Sequence, residues 1–315
     1  LNKPFELLPI FRERVWGKTS LAPFFTDQSR LPNRPDNASI GEVWFSFSEN
    51  PTIFGKKLED VLKEHPEYLG TGADPDHPGL CPILVKFLFT KERLSVQVHP
   101  DDQHAKTHHG SLGKTEAWYV LDAEPPGEIA AGFREELTED RFKDAVASGE
   151  IEHLLDWRQV SPGDVIFVPA GTVHAIGAGL TICEIQQNSD ITYRLYDYGR
   201  GRELHLEHGM NVSHLGPHKA SAPPAALADG REELASSDHF RIERLKPKES
   251  ISLDGSHSHY SILTHLKGAG TIEGKPTSPG QTYFVPAASS CAVQAPGSEW
   301  IITYKHPRPA AIQMK

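Results

Sequence analysis

Short apolar runs broken by Pro, Gly and charged residues recur along the chain, and most are too short to make a helix. CPILVKFLF at 81–89, RLSVQVHP at 93–100, EAWYVLDA at 116–123, VIFVPAG at 165–171, TICEIQQ at 181–187 and ITYRLYDY at 191–198 read as strands. HFRIERL, YSILTHL, GTIEG, TYFVPA and WIITYK continue the pattern between 239 and 305. Enrichment in β-branched and aromatic residues between turn residues is the mark of a buried or half-buried strand. Two segments differ. GKKLEDVLKEHPEYLG sets Leu58, Val61 and Leu62 at helical spacing and then meets Pro66, which cannot continue a helix. LTEDRFKDAVASG repeats this with Phe142, Ala145 and Val146. They predict short helical insertions at about 55–70 and 136–157 in a strand-dominated chain.

An internal repeat organises the strands. SPGDVIFVPAGTVH at 161–174 and SPGQTYFVPAASSC at 278–291 share seven of fourteen positions, and each reads as a Pro-Gly turn, a buried strand and a second turn. Two related β-sandwich or barrel units follow. The first copy ends in His174 and the second in Cys291. Between them GPHKASAPPAALADGREE at 216–233 shows neither helical nor strand periodicity and is the expected linker. Residues 1–215 then form one unit and 234–315 a second.

Composition narrows the function. A length of 315 residues favours two domains, and a net charge of −10 argues against a nucleic-acid surface, which needs Lys and Arg against phosphates. A small phosphorylated ligand needs only a few local cations. Cys81, Cys183 and Cys291 are an odd, widely spaced set, so no disulfide framework is expected. No apolar run has the roughly 18 residues of a membrane span, and the opening LNKPFELLPIFRERVWG resembles neither a signal nor a transit peptide. A cytoplasmic protein, monomer or homodimer, with no nucleic-acid or membrane partner is expected. Seventeen histidines are many, but most fall in polar stretches such as HPDDQHAKTHH and HLEHG that read as loops.

Strand alternation in RLSVQVHP puts Leu94, Val96 and Val98 on one face and Ser95, Gln97 and His99 on the other. Glu116 opens an apolar strand and His174 follows the repeat's second turn. Neutral imidazoles, a carboxylate and an amide oxygen on neighbouring strands suit Zn²⁺ or another first-row ion. The spacing 97, 99, 116, 174 resembles the metal-binding pattern of cupins, with Gln97 in place of the first histidine.

SVQVHPDD, GKTE, VPAGTVHA and QQNSD followed by Arg194, with VWG at 15–17 and GEVW at 41–44, more narrowly resemble type I phosphomannose isomerase in its short bacterial form. The resemblance runs from about Val15 to His208. It implies two cupin-like (jelly-roll) β-barrel units, the second degenerate, and one Zn²⁺ per chain held by Gln97, His99, Glu116 and His174. It also implies interconversion of mannose 6-phosphate and fructose 6-phosphate through an enediol. Glu184 is implied as the proton-transfer base, Arg194 as the active-site arginine and Lys114 as a contact to the sugar, with Ser95 and Lys86 at the phosphate end. Trp16, Glu42 and His205 also match motif positions. His257-x-His259 lacks a matching Glu, and Cys291 stands where a ligand would be, so no second zinc site is expected and a single metal per chain follows. The rival readings are a non-catalytic sugar-phosphate-binding cupin, a cupin oxygenase with Fe(II), and an isomerase of another phosphosugar such as glucose 6-phosphate.

Overall fold

The computed structural model describes residues 3–26, 37–227, 230–246, 251–253, 258–294, 297–305 and 312–314. Its architecture is mainly β, in four antiparallel sheets whose strand orders are open rather than closed on themselves. A six-stranded sheet runs Ile10–Lys18, Ile40–Phe45, Ile83–Phe89, Leu180–Gln187, Glu116–Ala123, Val165–Val168. Facing it is a five-stranded sheet, Tyr193–Tyr196, Val96–Val98, His174–Ile176, Glu128–Phe133, Leu155–Gln159. The later strands build a seven-stranded and a five-stranded sheet.

Period-2 alternation divides the six-stranded sheet cleanly. Ala117, Tyr119, Cys183, Ile185, Val85 and Phe87 point to one apolar core, while Trp118, Val120, Ile182 and Leu88 point to another. The second core lies between the two facing sheets, because it also takes Ile129, Ala131 and Ile176 from the five-stranded one. The first core is shared with the later half of the chain. Phe45, Phe87 and Tyr68 pack in it with Tyr260, Phe284 and Ile301, so the second half buries a flank of the first. The outer face of the five-stranded sheet, with Val96 and Val98, is covered by Phe142, Ala145 and Val146.

Those three residues lie on α3 (Glu139–Ser148), which follows α1 (Leu58–Glu64) and α2 (Asp102–His109) and precedes α4 (Ile151–Leu154) and α5 (Leu206–Val212). α1 and α3 are the helices expected from the apolar spacing, and their expected residues are buried. α2 and α5 were not legible as helices. Both fall in the histidine-rich stretches that read as loops. α2 starts where the Asp101 carboxylate accepts the His104 backbone N–H at 2.8 Å, and it stops at Gly110 in the left-handed region.

The repeat recurs in the structure as the same turn and strand. Gly163 and Gly280 adopt φ of 100° and 96°, a region closed to most side chains, and each turn is tied back by the residue after the glycine. Asp164 accepts the Ser161 N–H at 2.8 Å and Gln281 accepts that of Ser278 at 2.7 Å. The strands Val165–Val168 and Thr282–Val285 follow, and His174 and Cys291 each open the next strand. The segment expected to be a plain linker holds the two-residue strand Ala225–Ala226, and Ser221 Oγ accepts the Phe167 N–H at 2.7 Å. The strand Phe5–Leu7 pairs with Thr282–Val285, so the seven-stranded sheet draws on both ends of the chain. His257 lies outside the described residues. The three cysteines are free and buried, and among the described residues no helix is long and apolar enough to cross a membrane.

His265 is fully buried, its ring stacked on Trp300 at 4.1 Å, and burial pushes its pKa down to about 4. The unfolded chain therefore binds the extra proton first, and this group's contribution, complete above about pH 6.5, is lost as pH falls toward 4. Thermal melts of H265Q between pH 7 and 5 are expected to fall less with pH than those of the parent. Parallel curves would exclude this coupling.

Candidate active site

The alternation that sends Trp118 inward also sends in Glu116, and likewise Glu184 beside Ile182 and Lys86 beside Leu88. Register aligns them across the sheet, with Glu184 opposite both Lys86 and Trp118. The facing sheet contributes Gln97, paired with His174 on one side and Arg194 on the other. Leu94 departs from its expected face: the strand begins only at Val96, and Leu94 turns into the inter-sheet core while Val96 and Val98 pack outward.

His99, Glu116 and His174 converge at the buried end, each about 1% exposed, with one donor atom apiece all within 4.8 Å of one another. Glu116 Oε2 lies 3.4 Å from His99 Nε2, and Oε1 lies 3.4 Å from His174 Nε2. Backbone carbonyls face the other ring nitrogens, Ile191 O at 2.9 Å from His99 Nδ1 and Thr172 O at 2.8 Å from His174 Nδ1. Those contacts assign the proton to Nδ1 in both rings and leave the Nε2 lone pairs turned toward Glu116. Burial holds both imidazoles neutral, His174 down to about 4 and His99 well below its ordinary value, with Lys114 adding to each shift. Glu116 Oε2 is buried without a hydrogen bond of good geometry. Two neutral imidazoles and an under-satisfied carboxylate are a fitting donor set for a divalent cation.

Lys114 Nζ sits among these donors, 2.9 Å from His99 Nε2 and 3.1 Å from Glu116 Oε2. Although burial opposes its charge, Glu116 and Glu184 outweigh that and raise its pKa. Gln97 is half-buried; its Nε2 lies 3.3 Å from His174 Nε2 and its Oε1 accepts from Ser95 Oγ at 3.1 Å. Glu184 is buried 3.5 Å from Lys86 Nζ, and burial, then the charge of Glu116, raises its pKa. Lys86 Nζ also lies over the Trp44 ring at 4.5 Å.

These groups border one cavity of about 410 Å³. Ser95, Gln97, Lys86, Lys114, Glu184 and Arg194 all line it, while His99, Glu116 and His174 stand behind Gln97 and Lys114. All nine residues singled out in the sequence therefore meet in one place. Arg194 donates from Nη1 to Glu203 O at 2.8 Å and keeps Nε buried without a partner. Five cationic side chains against three carboxylates line the cavity, in a chain whose net charge is −10.

Residues 5–144 match the family described as phosphomannose isomerase type I, catalytic domain. A probable mannose-6-phosphate isomerase of Bacillus subtilis is 37% identical over 291 residues, covering 86% of this chain and 88% of that protein. The chain belongs to the type I phosphomannose isomerase family. A mannose-6-phosphate isomerase of Streptococcus mutans is 34% identical, covering 86% of this chain and 87% of its own. The crystal structure of the mannose 6-phosphate isomerase from Bacillus subtilis superposes with a TM-score of 0.81 at 29% identity, covering 96% of this chain and 99% of that one.

Within this isomerase fold the cavity also holds residues that motif reading did not select. Glu42, which matches a motif position without an assigned role, accepts from Arg14 Nη2 at 2.8 Å and from Trp44 Nε1 at 2.7 Å. Although burial opposes ionisation, Lys86 and Arg14 prevail and hold its carboxyl below the usual range. Arg14 and Arg202 add cations to the rim, and Asp197 holds Arg202 through two bonds of 2.8 and 2.5 Å. Arg14 in IFRERVWG and Arg202 in GRGRELH carry no local signal, and only the fold brings them to the cavity.

Proposed function

We propose that this chain is a zinc-dependent mannose-6-phosphate isomerase of the cytoplasm, with Gln97, His99, Glu116 and His174 as the ligands of one catalytic ion. The buried His99–Glu116–His174 cluster behind a cation-rich cavity carries the reading. In this reading the unit 1–215 is catalytic and the degenerate unit 234–315 supports it, completed by the strand Phe5–Leu7. When bound, the ion would supply Lewis-acid stabilisation of negative charge developing on the sugar oxygens. Gln97 serves it by turning its amide over so that the oxygen, now on Ser95, faces His174.

The substrate is the open-chain sugar, whose reaction moves one proton between C2 and C1 and a second between O2 and O1, so that the two oxygens exchange hydroxyl and carbonyl character. Glu184 takes the proton from one carbon and returns it to the other; its raised pKa brings a carboxyl closer to the range where both forms are populated. Lys114 donates to the oxygen that gains charge, and the unpartnered Nε of Arg194 supplies a second charge-assisted donor. Ser95 and Lys86 take the phosphate end. Because Lys86 and Glu184 lie 3.5 Å apart, an ammonium turned toward phosphate leaves Glu184 less paired and more readily protonated.

The deciding measurement is a coupled assay with mannose 6-phosphate on metal-loaded and chelated protein. Fructose 6-phosphate formation that chelator abolishes and zinc restores is expected, and no such turnover would sink the reading. E116A and H174A are expected to lose metal and activity together, whereas R194A keeps its metal and loses at least about 100-fold in kcat; normal turnover by R194A would remove it from the mechanism. The pair Lys86 and Glu184 separates by kinetics. K86A should raise KM more than it lowers kcat, and E184Q should lower kcat by about 100-fold or more with little change in KM. The opposite pattern would exchange their roles.

A further inference from the structure

The histidine-rich stretches that motif reading left as loops meet on the surface as a second donor cluster. His104 and His108 stand one turn apart on α2, with ring centroids 4.2 Å apart, and His208 on α5 comes within 5.6 and 5.2 Å of them. Their donor atoms all lie within 4.8 Å of one another. His104 Nε2 and His208 Nδ1 are 3.4 Å apart. Tetrahedral coordination with Zn–N bonds of about 2.05 Å requires an N···N edge of about 3.3–3.4 Å. Neighbouring His109 is engaged elsewhere, its Nε2 2.6 Å from the Tyr193 hydroxyl, which leaves three imidazoles for an ion.

We infer that His104, His108 and His208 form a second divalent transition-metal site, separate from the buried His99–Glu116–His174 cluster and weaker than it. An all-imidazole set suits Zn²⁺, Co²⁺, Ni²⁺ or Cu²⁺ and offers none of the oxygen ligands that Mg²⁺ or Ca²⁺ demands. The fourth position falls to water or a small anion, for which a cleft of about 640 Å³ beside His104 and His108 leaves room. Partial burial, reinforced by the neighbouring histidines, lowers the His104 pKa and favours the neutral ligand form. His108 is exposed, and its donor atom already lies within 4.8 Å of the other two. The ion would tie α2 to α5. His208 in turn stacks on Tyr193, 5.1 Å between centroids, on the strand that bears Arg194. This second site departs from the single ion per chain expected from the sequence.

The test is titration of the protein, already loaded with one equivalent of Zn²⁺, with Co²⁺, following its visible absorption and the bound stoichiometry. A second equivalent with a four-coordinate spectrum is expected in the parent and in H153Q, which alters an exposed histidine elsewhere. H108Q and H208Q should weaken that second equivalent at least about tenfold, with the first ion retained and H108Q turnover in limiting metal unchanged. Uptake of one ion only, or an H108Q titration that overlays the parent's, overturns the inference. Because binding is read directly, this outcome is independent of whether mannose 6-phosphate is the substrate.

Discussion

Charges placed between two apolar sheets have to be answered by opposite charges or by an ion, and the arrangement of the first half of the chain depends on that constraint. Removing an ionised group from water costs several kcal/mol even after relaxation. Yet Lys86, Lys114, Glu116 and Glu184 are all buried. They are tolerated because Lys86, Glu116 and Glu184 stand on inward positions of adjacent strands, Lys114 lies in the segment leading into Glu116, and opposite charges approach to 3.1–3.5 Å. Packing alone would favour Leu or Val at each. A cluster that lowers no folding free energy by itself, holds two neutral imidazoles and raises the pKa of a carboxyl is organised for chemistry.

The support for that cluster is the apolar face behind it. Each strand that turns Glu116, Glu184 or Lys86 inward turns Tyr119, Cys183, Ile185, Val85 or Phe87 the other way, into the core shared with Tyr260, Phe284 and Ile301. The second half of the chain keeps the repeat's turn and strand but puts Cys291 into an apolar cluster with Val293 and Trp300. Its contribution is cover: Tyr260, Phe284 and Ile301 pack against the apolar face of the sheet that carries the charged residues.

Gln97, His99, Glu116 and His174 were legible in the sequence because each sits in a compact motif with a period or a turn that fixes its direction. Arg14 and Arg202 were not, because they reach the cavity through the fold and no local pattern distinguishes them from surface arginines. Leu94 was assigned to the wrong face because alternation was extended past the end of a three-residue strand. His104, His108 and His208 were hidden for another reason. Polar helices such as α2 carry little apolar periodicity, and what marks α2 as a helix is the Asp101 cap and Gly110 at its end. Whether sheets close into barrels depends on strand tilt and stagger, which hydrophobic pattern does not encode.

The pairing of Phe5 with Phe284 ties together residues almost the full chain apart. During vectorial synthesis the strand Phe5–Leu7 emerges long before Thr282–Val285 exists, so until then only early neighbours such as Thr52, which bridges Leu7, can hold it, and one of its edges stays open. Contacts this distant in sequence slow folding, because a large loop has to close before the contact can form. An unpaired strand edge is also open to the wrong neighbour. The core behind the charged sheet is thus complete only once Phe284 and Ile301, which both pack in it, have been synthesised.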